Sequence, residues 1–443
     1  MITKRVAAVT VMFVLLVFGV TAQRAPTPRP VAPRQISEIN QLARPASDKV
    51  IAIVGVTLID GKGGSPLTDA AVVVKSDTII SSGPRRNVPI PHNAEIVRAE
   101  GMTLLPGLID SHFHLDNDGA LPSLFLSHGI TSARDPGQWI EAYDNVRKSN
   151  QQNPRLFLAG PHLDNPPPAY PTDSIIVRDA EETRLAVNRF IDQGASVIKV
   201  YFRLPLSLIR VAVQTSHERG VPVTAHLEIV NADDAIRAGV DGFEHITSFG
   251  TALLPRREAE KYRQAVLADN NARREGRYKV WSEIDLGSPR VSPLLELITR
   301  HGIFLSPTLA VFERRTGDRD TTEMHTRAFG QMLKFVGMAK RTGARVVVGS
   351  HSSVPHAERG WAYQREMELL VESGLTPMEV IAAATIENAR FFRIADRLGS
   401  IEKGKLADLI LIEGDPLKDM GSMRRVKRVM LNGKWVSPGS AGL

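Results

Sequence analysis

Short apolar runs recur along the chain from Val50 onward, and their spacing changes twice. Over 49–106 they crowd together as VIAIVGVTLID, AAVVVKSDTII and EIVRAEGMTLL, punctuated by Gly61, Gly63, Gly64 and Gly83-Pro84. Strands of that length with that punctuation predict an antiparallel unit. A similar set closes the chain, LADLILIEG and then VKRVMLNGKWV, where Asn432-Gly433 signals a hairpin. Over 107–398 the apolar runs instead alternate with helical segments such as DAEETRLAVNRFIDQGA. The runs are GLIDSHFH, GITSARD, RLFLAGPHLD, SVIKVYF, VPVTAHL, DGFEHI, IFLSPTL and RVVVGSHS. Eight such units predict an α/β fold, a closed (β/α)₈ TIM barrel, inserted in a small β-sandwich domain built from both chain ends, 49–106 and 399–443. The rival is a doubly wound sheet. Against it, no Gly-x-Gly-x-x-Gly follows the first strand, and polar residues end several strands rather than marking one switch point.

The residues before 49 read differently. Lys4 and Arg5, the apolar run Val6 to Val20 and the small residues Val20 and Ala22 before Gln23 make 1–22 a signal peptide, with an uncleaved membrane anchor as the rival. Residues 23–48 are rich in Pro and Arg without apolar periodicity, which predicts an extended linker. Removal of the signal predicts a periplasmic or secreted protein with no further membrane contact.

Composition narrows the chemistry. The 443 residues are 43% hydrophobic, ample for a real core, and contain no cysteine, so there are no disulfides and no thiolate ligands. The net charge of +7 comes partly from scattered arginines, and no basic stretch is interleaved with aromatics, which argues against nucleic-acid binding. The expected partner is a small-molecule substrate, with a homo-oligomer as a further expectation.

The strand ends carry the polar residues that matter. The stretch LLPGLIDSHFHL from Leu104 to Leu115 ends a buried strand in His112 and His114, and alternation along a strand points both rings the same way. Lys199 lies in VIKVYF, His226 closes VPVTAHL, His245 closes DGFEHI and His351 closes VVVGSHS. Side chains at the C-terminal ends of barrel strands converge on one mouth, so these six face a common pocket. A single strand histidine is commonly a packed residue; an ammonium between Ile198 and Val200 demands an anion or a modification. Imidazoles and oxygen anions suit Zn²⁺ or similar ions. Tyr201 and Arg203 share the strand parity of Lys199 and are candidates for substrate binding, Arg203 by a bidentate contact to a carboxylate. His162, ending the third strand, is a third substrate-binding candidate, with a loop cap as its alternative. The basic helical insert from Pro255 to Trp281, with Arg256, Arg257, Arg273 and Arg274, reads as a solvated face beside the rim.

From residue 50 on, the chain resembles the amidohydrolase superfamily of metal-dependent hydrolases, in particular its imidazolonepropionase-like and prolidase-like dipeptidase branch. The resemblance rests on PGLIDSHFH, IKVY, Ala225-His226, Glu244-His245 and the run from TIENARFF to GSIEKGKLADLILIEGDPL. It implies two divalent metals, expected to be Zn²⁺, bridged by carboxylated Lys199. His112 and His114 would hold the deeper one and His226 and His245 the outer one. Two such ions about 3.5–4 Å apart can share one hydroxide and polarise a carbonyl. The implied activity is hydrolysis of a C–N bond in an amide, such as a dipeptide or N-acyl amino acid. One position departs from the family: the last strand ends Gly349-Ser350-His351 where Gly-Thr-Asp is usual, which makes His351 the candidate catalytic residue. It also raises an alternative, a barrel that binds metal or ligand without efficient amidase activity, or acts on lactones and esters.

Overall fold

The computed structural model describes residues 36–40, 42–149 and 151–437, so the expected signal segment and the first part of the expected linker lie outside the described residues. The strands, numbered in chain order, begin with β1 (Val50–Leu58), β2 (Leu67–Lys75), β3 (Thr78–Pro84), β4 (Glu95–Arg98) and β5 (Met102–Pro106). The chain then enters the barrel with β6 (Leu108–Asp110), β7 (Ile130–Asp135) and β8 (Arg155–Leu158). It continues through β9 (His162–Asp164), β10 (Ser174–Ile176), β11 (Ile198–Val200), β12 (Val223–Ala225), β13 (Gly242–Glu244), β14 (Phe304–Ser306) and β15 (Arg345–Val346). It closes with β16 (Leu409–Glu413), β17 (Val426–Leu431) and β18 (Lys434–Trp435).

The two ends of the chain share one eight-stranded sheet, in the order β18-β17-β16-β5-β1-β2-β3, with β4 against β1. β5 pairs antiparallel with β16, Leu104 opposite Leu411, which joins the ends directly. Ile51, Ile53, Val56, Leu104, Leu409 and Met430 form the apolar filling on one face, and Val50, Ala52, Val54, Ala71 and Val73, the alternate positions, cluster on the other.

The barrel ring is parallel. β6, β7 and β8 run side by side, as do β11 to β15, with Lys199 opposite Thr224 and Val200 opposite Ala225. Two backbone bonds close it: Ser196 N–H to Leu158 O at 2.7 Å, and Ser111 N–H to Val348 O at 3.0 Å. β9 follows β8 and pairs with β11, and β10 pairs with the other edge of β9. A continuous apolar cluster between ring and helices makes the core, and helices are started by ordinary signals; Asp179, for example, accepts from the N–H groups of Glu181 and Glu182.

Only Gly107 separates β5 from β6, and a Cβ there would lie 2.2 Å from Thr131 Oγ1, so the crossing from sheet to barrel needs glycine. The last part of the expected linker is packed rather than free. Ile36 is buried with Ile109, Phe157 and Phe391, and Ile39 N–H bonds Leu156 O at 2.9 Å. An isolated Ile-x-x-Ile after a Pro-rich stretch is too short to show periodicity, which is why the sequence hid it.

Candidate metal centre and substrate cavity

Strand β6 ends at Asp110, before the two histidines, yet the alternation continues through the bend. Phe113 turns into the core against Phe125 (ring centroids 5.0 Å apart), while the His112 and His114 rings converge with their Nε2 atoms 3.1 Å apart. Lys199 is the middle residue of β11, and His226 and His245 directly follow β12 and β13. His351 arrives five residues after β15, fixed by its own N–H to His112 O at 2.6 Å. Ring centroids lie 4.5 Å apart for His112–His245 and for His226–His245, and 4.8 Å for His114–His351. The six side chains expected to meet therefore do so at the barrel mouth.

Partners decide which ring nitrogens stay free. Glu244 Oε2 takes His112 Nδ1 at 2.7 Å, and Thr308 Oγ1 takes His245 Nδ1 at 2.7 Å, so both rings present Nε2. Asp135 Oδ1 stands 3.5 Å from His114 Nδ1. His226 is reversed: Glu228 Oε1 lies 3.3 Å from Nε2, and Nδ1 is buried without a partner among the described residues. Carboxylates behind imidazoles in this way fix the ring and raise its basicity toward a metal. Two Nε2 atoms facing each other and an orphaned buried Nδ1 are what a bound cation would satisfy. One ligand atom each from His112, His114 and His351 also lie within 4.8 Å of one another. The residues fit a divalent ion.

Burial holds His112, His245 and His351 well below the ordinary histidine value and His226 near about 4, with neighbouring cations adding to the effect. These rings are neutral at pH 7 and keep a lone pair for a ligand. His114 differs: burial lowers it, but the hydrogen bond and charge of Asp135 outweigh that and raise it. Burial pushes the Lys199 ammonium down to about 8 against the carboxylates of Glu244 and Asp135, which leaves a share of reactive neutral amine. His245 and His351 have φ of 66° and 58°, and Thr308 48°, left-handed conformations that non-glycine residues rarely adopt and that collect at working sites.

Above the histidines opens a cavity of about 930 Å³, large enough for a small organic molecule. Tyr201 lines it, stacked on His162 with centroids 4.3 Å apart, so two of the three substrate-binding candidates stand in its wall. Arg203 does not. The strand ends at Val200, parity fails beyond it, and the Arg203 guanidinium instead caps the C-terminal carbonyls of the helix Arg256–Ala268, at 3.1 Å from Val266 O and 3.3 Å from Leu267 O.

The insert also departs from expectation. It forms two helices, Arg256–Ala268 and Ala272–Glu283, and the second lines the cavity rather than facing solvent. Arg273 is buried, donating to the Tyr170 hydroxyl at 2.9 Å, and Arg277 lies over the Phe312 ring at 5.4 Å. Sequence reasoning missed Arg277, whose signal was its position four residues from Arg273 on one helix face. It also missed Glu244, legible as an acid inside the apolar run DGFEHI, and Asp135, Glu228 and Thr308. Asp116, tied to Ser353 Oγ at 3.2 Å, is a carboxylate on the same wall as His351.

Known proteins resemble this chain over most of its length. The model of the Amidohydrolase family matches residues 103–436. The N-acyl-D-aspartate deacylase of Alcaligenes xylosoxydans xylosoxydans is 38% identical over 85 residues, 18% of this chain and 16% of that protein. The imidazolonepropionase of Micrococcus luteus is 41% identical over 73 residues, 16% of this chain and 18% of that one. The chain thus spans under a fifth of the length of these curated relatives. Among solved structures, a Xaa-Pro dipeptidase with bound methionine superposes with a TM-score of 0.68 at 22% identity, covering 87% of this chain and 99% of that one. The A. niger ochratoxinase does so at 0.70 and 22%, covering 90% and 98%. These share the fold, and the family match over three quarters of the sequence carries the further step. Its members are hydrolases that typically hold a divalent metal, and this chain belongs to the amidohydrolase family.

Proposed function

We propose that this protein is an exported, metal-dependent hydrolase that cleaves the C–N bond of a small amide bearing a carboxylate, a dipeptide or an N-acyl amino acid. The observation that carries the reading is the juxtaposition of the histidine and lysine nest with a cavity wall holding Arg273, Arg274 and Arg277. His112, His114, His226 and His245 would hold two divalent ions, expected to be Zn²⁺, with Lys199 between them as a carbamate. Such ions supply Lewis acidity toward the substrate carbonyl and the attacking water.

The rest is done by the chain. Arg277 receives the substrate carboxylate, a contact its planar fork makes with two parallel bonds. Tyr201 and His162 offer a stacked face to the remainder of the substrate, and Phe312 and Tyr278 limit the entry of water. His351 or Asp116 takes the proton released on attack and returns it to the departing nitrogen. Export rests on the charged start, the apolar run and the small residues of 1–22. A second reading, preference for lactones and esters over amides, is favoured by His351 standing where a carboxylate is usual.

The test is a matched pair of substrates at controlled metal loading, an N-acyl amino acid and its carboxamide. Arg277→Gln should raise KM for the acid about tenfold and leave the carboxamide unchanged, since a charged hydrogen bond is lost only in the first case. Equal hydrolysis of both substrates by the wild type, or no hydrolysis of either, defeats the proposal.

A further inference from the structure

The outer flank of the barrel carries a second cavity of about 410 Å³, which shares no lining residue with the histidine cavity. Three helices frame it: Ala232–Arg237, Arg256–Ala268 and Val291–Arg300. Arg256 and Arg263, seven residues apart, lie on one face of the second helix, and Arg290 leads into the face of the third that carries Leu294 and Leu297.

Charge in this cavity is unbalanced. Four guanidiniums line it, those of Arg237, Arg256, Arg263 and Arg290, against the single carboxylate of Asp233. Asp233 is already taken by Arg237 at 2.6 Å. Arg263 is oriented by Ile229 O at 2.7 Å and by the Asn231 side chain and pairs with Glu260, outside the lining, at 3.3 Å, which leaves Arg256 and Arg290 as the unbalanced pair. Arg256 and Arg290 have no carboxylate within 4 Å among the described residues. Thr251, only 5% exposed, lines the same cavity, and its hydroxyl has no partner among the described residues. A buried donor without an acceptor and clustered like charges both cost free energy that a bound anion would recover.

We propose that this cavity binds a short aliphatic carboxylate. Guanidiniums match a carboxylate in a planar fork. The apolar part of the wall is Ala252, Leu254, Ala259, Pro293, Leu294 and Leu297, with no aromatic ring among the lining residues to stack a planar ligand. The volume lies near the lower end of small-molecule sites, which limits the tail to a few carbons. The site acts independently of the amide chemistry proposed above.

The probe is 6-bromohexanoate, titrated calorimetrically into the full chain and soaked into its crystals. Saturable binding is expected, with a bromine anomalous peak beside Leu294 and an affinity about tenfold or more weaker in the Arg256→Gln/Arg290→Gln double variant. Both arginines are exposed, so the variant keeps its fold. The proposal is overturned by any of four results: no saturable binding, equal affinity in the double variant, a bromine peak confined to the histidine cavity, or inorganic phosphate binding as tightly as the bromo acid.

Discussion

His351 stands where a carboxylate would offer two oxygens, and a neutral imidazole offers one free lone pair. It can ligate a metal or accept a proton, and not both at once. Absence of that anion would also leave a bound metal one charge more positive and a nucleophilic water less basic. General acid-base assistance is worth about 10²–10⁴-fold, and amines need it more than alkoxides do. His351→Asp should therefore raise kcat/KM for a plain amide more than for the matched ester. A wild type that already cleaves a plain dipeptide fast, and loses rate on this change, would make His351 a competent catalyst. At His112 and His114, alanine at both positions should empty at least one metal position, read by elemental analysis, while the core packed by Phe113 stays folded. These two rings were legible because strand parity survives one bend. The carboxylates behind them were not, because Glu244 and Asp135 meet their histidines only after the ring closes.

The helix Ala272–Glu283 illustrates how an element acquires a role that its own pattern does not reveal. Its buried side carries Arg273 and Arg277 at the cavity and, one turn further on, Trp281 against Phe335 of the helix Glu323–Arg341, with ring centroids 5.7 Å apart. Its many basic residues gave it the look of a solvated face, and only the packing of a neighbour some fifty residues away decides otherwise. Trp281→Ala should cost about 3–5 kcal/mol in denaturant unfolding. It should also weaken substrate binding by loosening the helix beneath Arg277. A loss of stability under 1 kcal/mol would mean the helix is held by other contacts. The barrel strands, by contrast, were readable one by one, since each is an apolar run ending in a polar residue. Arg203 marks the limit of that reading: a side chain three residues past the end of β11 went to a helix end instead.

The whole molecule is tied together beneath the barrel by Arg155, which is fully buried. Its guanidinium reaches Asp408 at 2.7 Å, Asn432 Oδ1 at 2.9 Å and Glu38, so one residue of β8 holds the N-terminal segment, the residue before β16 and the residue after β17. Asp408→Ala should cost about 3 kcal/mol, because a buried cation loses a partner. Burial raises the Glu38 carboxyl, but Arg155 and Arg397 more than offset this and hold it below the ordinary 4.5. A depressed acid stabilises the fold above its unfolded value and loses that contribution as pH falls through its folded value. The stability gap between wild type and Glu38→Gln should thus shrink below pH 4.5; a gap constant with pH would exclude the charged contact. The pairing of β5 with β16 has a consequence in time. A ribosome makes Leu104 about three hundred residues before Leu411, its partner in the sheet. Throughout that interval the β5 edge is an open template for any other extended chain. The small sheet is consequently the last part of the molecule to be completed, and a chain that stops short of β16 leaves its barrel joined to an unfinished, adhesive sheet.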